Sequence, residues 1–220
     1  MIYGIQKLSL IDYPSLPCFV IFLGGCNFRC PFCHNESIVN KKETLHETEE
    51  VIKEIKKRTS FLSAVVITGG EPTIYGSKLI DLIKEIKKLH LKIKLDTNGT
   101  NPTLLKKIIE LKLVDYIAMD IKNTWEKYQL TSGIPVDIKK IKESIKLIET
   151  SGINYEFRCT INKEMHTKKD IKEIQGYLKD SSKLFLQPYR YQPTQIINKN
   201  FGEWETNELK ELESDFKVKS

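Results

Sequence analysis

From Cys18 to Pro188, short apolar runs rich in β-branched and aromatic residues take turns with longer lysine-rich stretches whose apolar residues recur three or four apart. This alternation is the signature of repeated βα units, and no other feature restricts the fold as strongly. Strands are predicted at residues 18–23, 64–68, 92–96, 116–121, 155–161 and 184–187. All are short and mostly apolar, as strands covered on both faces should be. Helices are predicted at 48–58, 77–89, 102–111, 137–150 and 168–178, with Ile80, Ile83 and Ile86 marking the apolar stripe of the second. Parallel strands joined by right-handed helical crossovers form an open doubly wound sheet or a barrel. Six units without a break favour an α/β fold of the partial (β/α)6 barrel type, with mostly parallel strands. No linker or solenoid repeat interrupts residues 1–220, so they read as a single domain: a core at about 16–190 and two ends, 1–15 and 191–220, as appendages of unassigned form and role. In either architecture function belongs at the C-terminal ends of the strands.

A chain of 220 residues, 40% hydrophobic and 29% charged, buries a sizeable core without disulfide staples, which excludes disordered and collagen-like classes. Five cysteines, an odd number, point to reduced thiols. No apolar run reaches the ~18 residues of a membrane span. Residues 1–7 lack the basic, apolar and small order of a signal peptide, so a cytoplasmic protein without a membrane partner is expected. The balance is 35 basic against 29 acidic residues, net +6, almost all from lysine. Arginine, the better reader of phosphates and base edges, occurs only at 29, 58, 158 and 190, and nucleic acid is not expected as the main partner. A cationic face suits an acidic electron carrier equally well.

Three cysteines fall in Gly24-Gly25-Cys26-Asn27-Phe28-Arg29-Cys30-Pro31-Phe32-Cys33-His34-Asn35, directly after the first predicted strand. Paired glycines and a proline keep the segment out of a helix, so three thiolates can converge on one metal centre. Zinc would need His34 or a distant residue as a fourth ligand. An iron–sulfur cube on three cysteines leaves one iron open, which suits catalysis at that iron. Ordinary buried thiols are the bland alternative, and Cys18 and Cys159, inside apolar strands, fit it.

Later strand ends carry polar residues in the same relative place. The second ends in Thr68-Gly69-Gly70-Glu71-Pro72, where two glycines admit a ligand to the backbone and Glu71 offers an acceptor to an ammonium group. The third ends in Asp96-Thr97-Asn98-Gly99 and the fourth in Asp120-Ile121-Lys122, each delivering a carboxylate to one rim. Asp120 and Lys122, two apart, face the same side and can satisfy each other or a zwitterion. Arg158 and Thr160 repeat that spacing on the fifth. His46, His90 and His166 lie in polar or helix-flanking stretches and are expected to be exposed.

With the C-x3-C-x2-C triplet and the Gly-Gly-Glu-Pro turn, the chain resembles the radical S-adenosylmethionine (radical SAM) superfamily. The resemblance implies a [4Fe-4S] cluster on Cys26, Cys30 and Cys33, with S-adenosylmethionine chelating the fourth iron. It also implies that Phe32 contacts adenine and that Gly69, Gly70 and Glu71 meet the methionine amino group. The segments Leu8-Ser9-Leu10-Ile11-Asp12-Tyr13-Pro14 and Gly25 to Asn35 look like those of the activating proteins of anaerobic ribonucleoside-triphosphate reductases. Asp96, Thr97, Asp120 and Lys122 match motifs of the wider glycyl-radical activases, where they surround the methionyl end and where a monovalent cation can sit between the carboxylates. Arg29, Lys122 and Arg158 are the cationic candidates for steering a carboxylate or ribose. The implied activity is one-electron reduction by a flavodoxin or ferredoxin, reductive cleavage of S-adenosylmethionine, and hydrogen abstraction from a glycine of a partner enzyme. Two departures stand out. Arg190 follows the Pro-Tyr pair where pyruvate formate-lyase activases tend to have histidine, and no second cysteine-rich insert occurs. A radical SAM enzyme acting on a small molecule, in the manner of 7-carboxy-7-deazaguanine synthase, and a non-catalytic zinc or iron–sulfur module are the competing readings.

Overall fold

The computed structural model describes residues 1–40 and 44–218. Among the described residues eight strands form one sheet in strict chain order: β1 Ile2–Ser9, β2 Cys18–Leu23, β3 Ala64–Gly69, β4 Lys92–Thr97, β5 Tyr116–Asp120, β6 Asn154–Ile161, β7 Leu184–Pro188 and β8 Lys217–Val218. β1 runs antiparallel to β2 and every later neighbour is parallel. Connections that always step to the adjacent position, with one hand, put the crossover helices on one face and leave the other as a lumen. The strands meet their predicted places to within two residues. The helices α1 Glu36–Val39, α2 Thr48–Lys56, α3 Ser77–Lys87, α4 Pro102–Glu110, α5 Tyr128–Ser132, α6 Ile138–Glu149, α7 Lys168–Gln175 and α8 Thr206–Glu213 include all five predicted ones.

Period-two alternation divides the strand residues between the two faces. Phe19, Ile21, Val65, Ile67, Ile93 and Leu95 join helix residues such as Ile55, Leu79, Ile83 and Ile108 in the main core. Cys18, Val20, Ala64 and Val66 point the other way and form a smaller cluster with Tyr13 that plugs the base of the lumen. Above that plug the inward residues become polar: Lys94 and Asp96 on β4, Asp120 on β5, Glu156 and Arg158 on β6. An apolar base and a charged mouth give the lumen a functional end.

Both appendages are built into the fold over their described residues. Residues 2–9 form the antiparallel strand β1, whose Ile2 is fully buried. After β7 the chain folds back over the cysteine segment before α8 and β8 extend the sheet, and Trp204, Leu212 and Phe216 enter the main core.

Candidate active site

The cysteine segment leaves β2 through Gly24 and is pinned on both sides by backbone hydrogen bonds. Gly25 and Cys26 N–H groups donate to the carbonyls of Ile38 (2.7 Å) and Val39 (3.2 Å), and the Arg29 N–H donates to Ser132 (2.8 Å). Gly133, at φ 72°, ends α5 against this segment, and a Cβ there would stand 1.9 Å from the Arg29 carbonyl oxygen. The Arg29 guanidinium donates to the carbonyls of Cys26 (2.8 Å) and Phe28 (2.7 Å), so it braces the segment rather than reaching a ligand.

A cavity of about 160 Å³ opens at the mouth of the lumen. Cys26, Cys30 and Cys33 line it together with Gly69, Gly70, Glu71, Asp96, Thr97, Asp120, Lys122 and Arg158, so residues from five separate segments converge. Phe32 does not line it: its ring packs edge-on against Tyr189 (6.0 Å) and Phe201 (6.3 Å) in a buried cluster with Met165. Burial pushes the Cys26 thiol up to about 11 and the Cys30 thiol up to about 12, so the thiolates need a positive centre to form. His34 is exposed and outside the lining, so it is not placed as a fourth ligand beside the three thiols. The zinc reading therefore has no ready-made closed site. Three thiols facing a polar cavity fit a cluster with one open position.

The two glycines after β3 have a steric reason. A Cβ on Gly69 would stand 2.3 Å from the Leu23 carbonyl oxygen, and one on Gly70 1.9 Å from that of Gly25, so only glycine lets this turn cross the cysteine segment. Glu71 is 1% exposed and already saturated. Its Oε1 accepts from the Thr73 N–H (3.0 Å), the Thr73 hydroxyl (2.5 Å) and the Thr97 hydroxyl (2.8 Å), and its Oε2 accepts from the Asn98 N–H (2.6 Å). Burial raises its pKa and those four bonds oppose the rise. The carboxylate acts as a hub for the strand-end loops. Asn98 continues it, donating to Asn27 Oδ1 at 2.8 Å and so tying β4 to the cysteine segment.

At the far wall Arg158 bridges two carboxylates, with Nε 2.8 Å from Asp120 Oδ1 and a terminal nitrogen 3.1 Å from Asp96 Oδ2. The register opposes Arg158 to Asp120 and Asp96 to Ala118, and the guanidinium reaches Asp96 across a residue too small to obstruct it. Lys122 Nζ lies 2.9 Å from Asp120 Oδ2, the pairing that the two-residue spacing implies. Burial works against all these charges, yet Arg158 and then the flanking lysine hold Asp120 and Asp96 below the usual carboxylate range. Asp120 in turn keeps Lys122 above the usual lysine value. A monovalent cation between the carboxylates would have to displace the guanidinium.

Of His46, His90 and His166, all expected to be exposed, only His90 is, and His46 is half-buried. His166 is buried, 1% exposed, because its ring fills the gap between the turns after β5 and β6. Its Nδ1 accepts from the Asn162 N–H (3.3 Å), which leaves Nε2–H to donate to the Lys122 carbonyl at 2.9 Å. Lys94, which the sequence reading passed over, is buried beside Asp96. The segment after residue 190 also contributes, since the N–H groups of Ile196 and Ile197 donate to the carbonyls of Cys33 (3.2 Å) and Pro31 (2.9 Å).

A partly closed α/β barrel with three thiols opposite a charged pocket at its strand ends defines an enzyme that works at a metal cluster beside a polar ligand. The Radical SAM superfamily model matches residues 20–178. A Methanocaldococcus jannaschii protein named as a glycyl-radical enzyme activating enzyme is 33% identical over 219 residues, covering 96% of this chain and 90% of its own. The pyruvate formate-lyase-activating enzyme of Clostridium pasteurianum is 26% identical, covering 86% of this chain and 81% of its own. Among solved structures, Streptococcus suis SuiB bound to precursor peptide SuiA superposes with a TM-score of 0.73 at 15% identity, covering 91% of this chain. The chain spans about half of that structure, 48% of its length, and the likeness concerns the fold. The chain thus belongs to the radical SAM superfamily and, within it, to the glycyl-radical enzyme activating enzymes. The cofactors of that superfamily are a [4Fe-4S] cluster and S-adenosylmethionine. Among the described residues no helix is long and apolar enough to cross a membrane.

Proposed function

We propose that this chain generates a glycyl radical on an anaerobic ribonucleoside-triphosphate reductase, with the cluster on Cys26, Cys30 and Cys33 and S-adenosylmethionine in the cavity that they share with Arg158. The observation carrying this reading is the convergence of the three thiols and the acid–base wall on one cavity. The resemblance of residues 8–14 and 25–35 to activators of that reductase supports the choice of partner. Cys26, Cys30 and Cys33 would hold the cluster, and when bound it would supply one-electron reductive cleavage of S-adenosylmethionine, the chemistry needed to take a hydrogen atom from a glycine of the partner. A flavodoxin or ferredoxin as donor agrees with the net charge of +6.

The protein's own residues bind and orient. The backbone at Gly69 and Gly70 borders the cavity where a ligand ammonium can find carbonyl oxygens, and Glu71 holds that turn in place. Lys122 and Arg158 are the cations available to a carboxylate, each paired with Asp120. Phe32 supports the cysteine segment from behind by packing under the C-terminal stretch, which excludes water from that side. The test is anaerobic incubation of the reconstituted protein with S-adenosylmethionine, a reductant and the reductase, followed by electron paramagnetic resonance. A glycyl-radical doublet on the reductase is expected, and loaded enzyme that cleaves S-adenosylmethionine but never yields the doublet would remove this partner.

A further inference from the structure

Lys94 is a buried cation that none of the steps above employs. It projects into the lumen, 3% exposed, with Nζ 3.0 Å from Asp96 Oδ1 and 2.7 Å from the carbonyl oxygen of Asp12. Asp96 Oδ1 is itself buried and takes no hydrogen bond of good geometry among the described residues, so the ammonium is its counter-charge. Asp12 belongs to the segment between β1 and β2, which Ser9 turns back by donating to Asp12 Oδ2 (2.5 Å) and accepting from the Ile11 and Asp12 N–H groups (3.3 Å each). That segment also carries Tyr13, the plug of the lumen base. A second cavity of about 360 Å³, lined by Ile11, Asp12, Lys94, Glu156 and Gln187, lies behind Arg158, and Arg158 lines both cavities.

We propose that Lys94 is a positioning residue that builds Asp96 and the 9–17 segment into one unit, so that occupancy of the cofactor cavity and the order of that segment are coupled. The inference rests on the reading of the cavity as the S-adenosylmethionine site. A ligand that fixes Asp96 and Arg158 also fixes the ammonium between Asp96 and the Asp12 carbonyl, and through it the turn. By linkage, whatever orders the turn tightens cofactor binding by the same factor. The sequence held a signal for this role: Lys94 stands two residues before Asp96, the spacing that singled out Asp120 and Lys122.

Amide hydrogen exchange on the anaerobically reconstituted holoprotein, with and without S-adenosylmethionine, tests the coupling in wild type, Lys94→Met and Lys94→Arg. In wild type the cofactor is expected to slow exchange at Ile11, Asp12 and Tyr13 as well as at Asn98. In Lys94→Met the turn should exchange about tenfold faster, the scale of one charge-assisted hydrogen bond, and lose its response to cofactor. Lys94→Arg should restore both, and unchanged exchange in α6 controls for folding. Protection at Asn98 that never reaches the turn in wild type, or that reaches it equally in Lys94→Met, would overturn the proposal. Wild type with no protection anywhere would instead overturn the assignment of the cavity, and the coupling with it.

Discussion

Replacing Arg158 by methionine removes the guanidinium while keeping most of the stem, and the structure sets the size of the effect. Asp120 loses a partner at 2.8 Å and keeps Lys122 at 2.9 Å, while Asp96 loses one at 3.1 Å and keeps Lys94 at 3.0 Å. The three side chains are 14%, 27% and 13% exposed for Arg158, Asp120 and Asp96, so solvent screens little of the loss. Removing one partner of a buried pair costs about 3–5 kcal/mol, and the two remaining lysines place this case near the low end, about 3 kcal/mol. Both carboxylates have folded pKa values below their unfolded ones, so their stabilisation is complete above the unfolded value of about 4 and fades as the pH falls through the folded value. The gap between wild type and Arg158→Met should therefore be widest near neutrality and narrow below about pH 4. Urea unfolding of the cofactor-free protein at several pH values measures it. A gap under about 1 kcal/mol at neutral pH, or one that stays constant into acid, would refute the electrostatic reasoning.

Gly70→Ala should abolish cofactor binding and destabilise the chain by more than about 3 kcal/mol, because its Cβ meets backbone that cannot rotate away. Gly76→Ala, at φ 56° with open space around it, should cost only about 1–2 kcal/mol in the same denaturation assay. His166→Leu strands the Lys122 carbonyl and should cost about 1–3 kcal/mol. Because burial lowers the pKa of His166, its neutral form is stabilising above about pH 6.5 and that contribution fades below it, an acid sensitivity that thermal melts should find in wild type and not in the leucine variant. Tyr189→Ala uncovers Phe32 and Phe201 and should cost about 3 kcal/mol, with a lower iron content per chain after gel filtration.

The sequence made the crossover strands legible because buried parallel strands are short apolar runs separated by amphipathic helices with little ambiguity of period. β1 escaped because its edge position leaves Gln6, Lys7 and Leu8 exposed and breaks the alternation. The cysteines and the strand-end acids were readable from spacing, since the sheet itself brings strand ends together. For Glu71 the sequence shows the carboxylate and not its partners. Whether a carboxylate is free or saturated depends on Thr97 and Asn98, which are near it only in space. His166 looked exposed because Thr167, Lys168 and Lys169 surround it in sequence, while its actual partners lie 44 and 4 residues away. The role of the C-terminal stretch was equally hidden, since backbone donors such as those of Ile196 and Ile197 leave no mark on side-chain identity.

The most direct measurement is 5′-deoxyadenosine formation by anaerobically reconstituted protein given S-adenosylmethionine and dithionite, with Cys30→Ala alongside. The expected result is 5′-deoxyadenosine and methionine in equal amounts from wild type and neither from the variant. Wild type loaded with iron and sulfide that forms no 5′-deoxyadenosine, even with the reductase present, would contradict it.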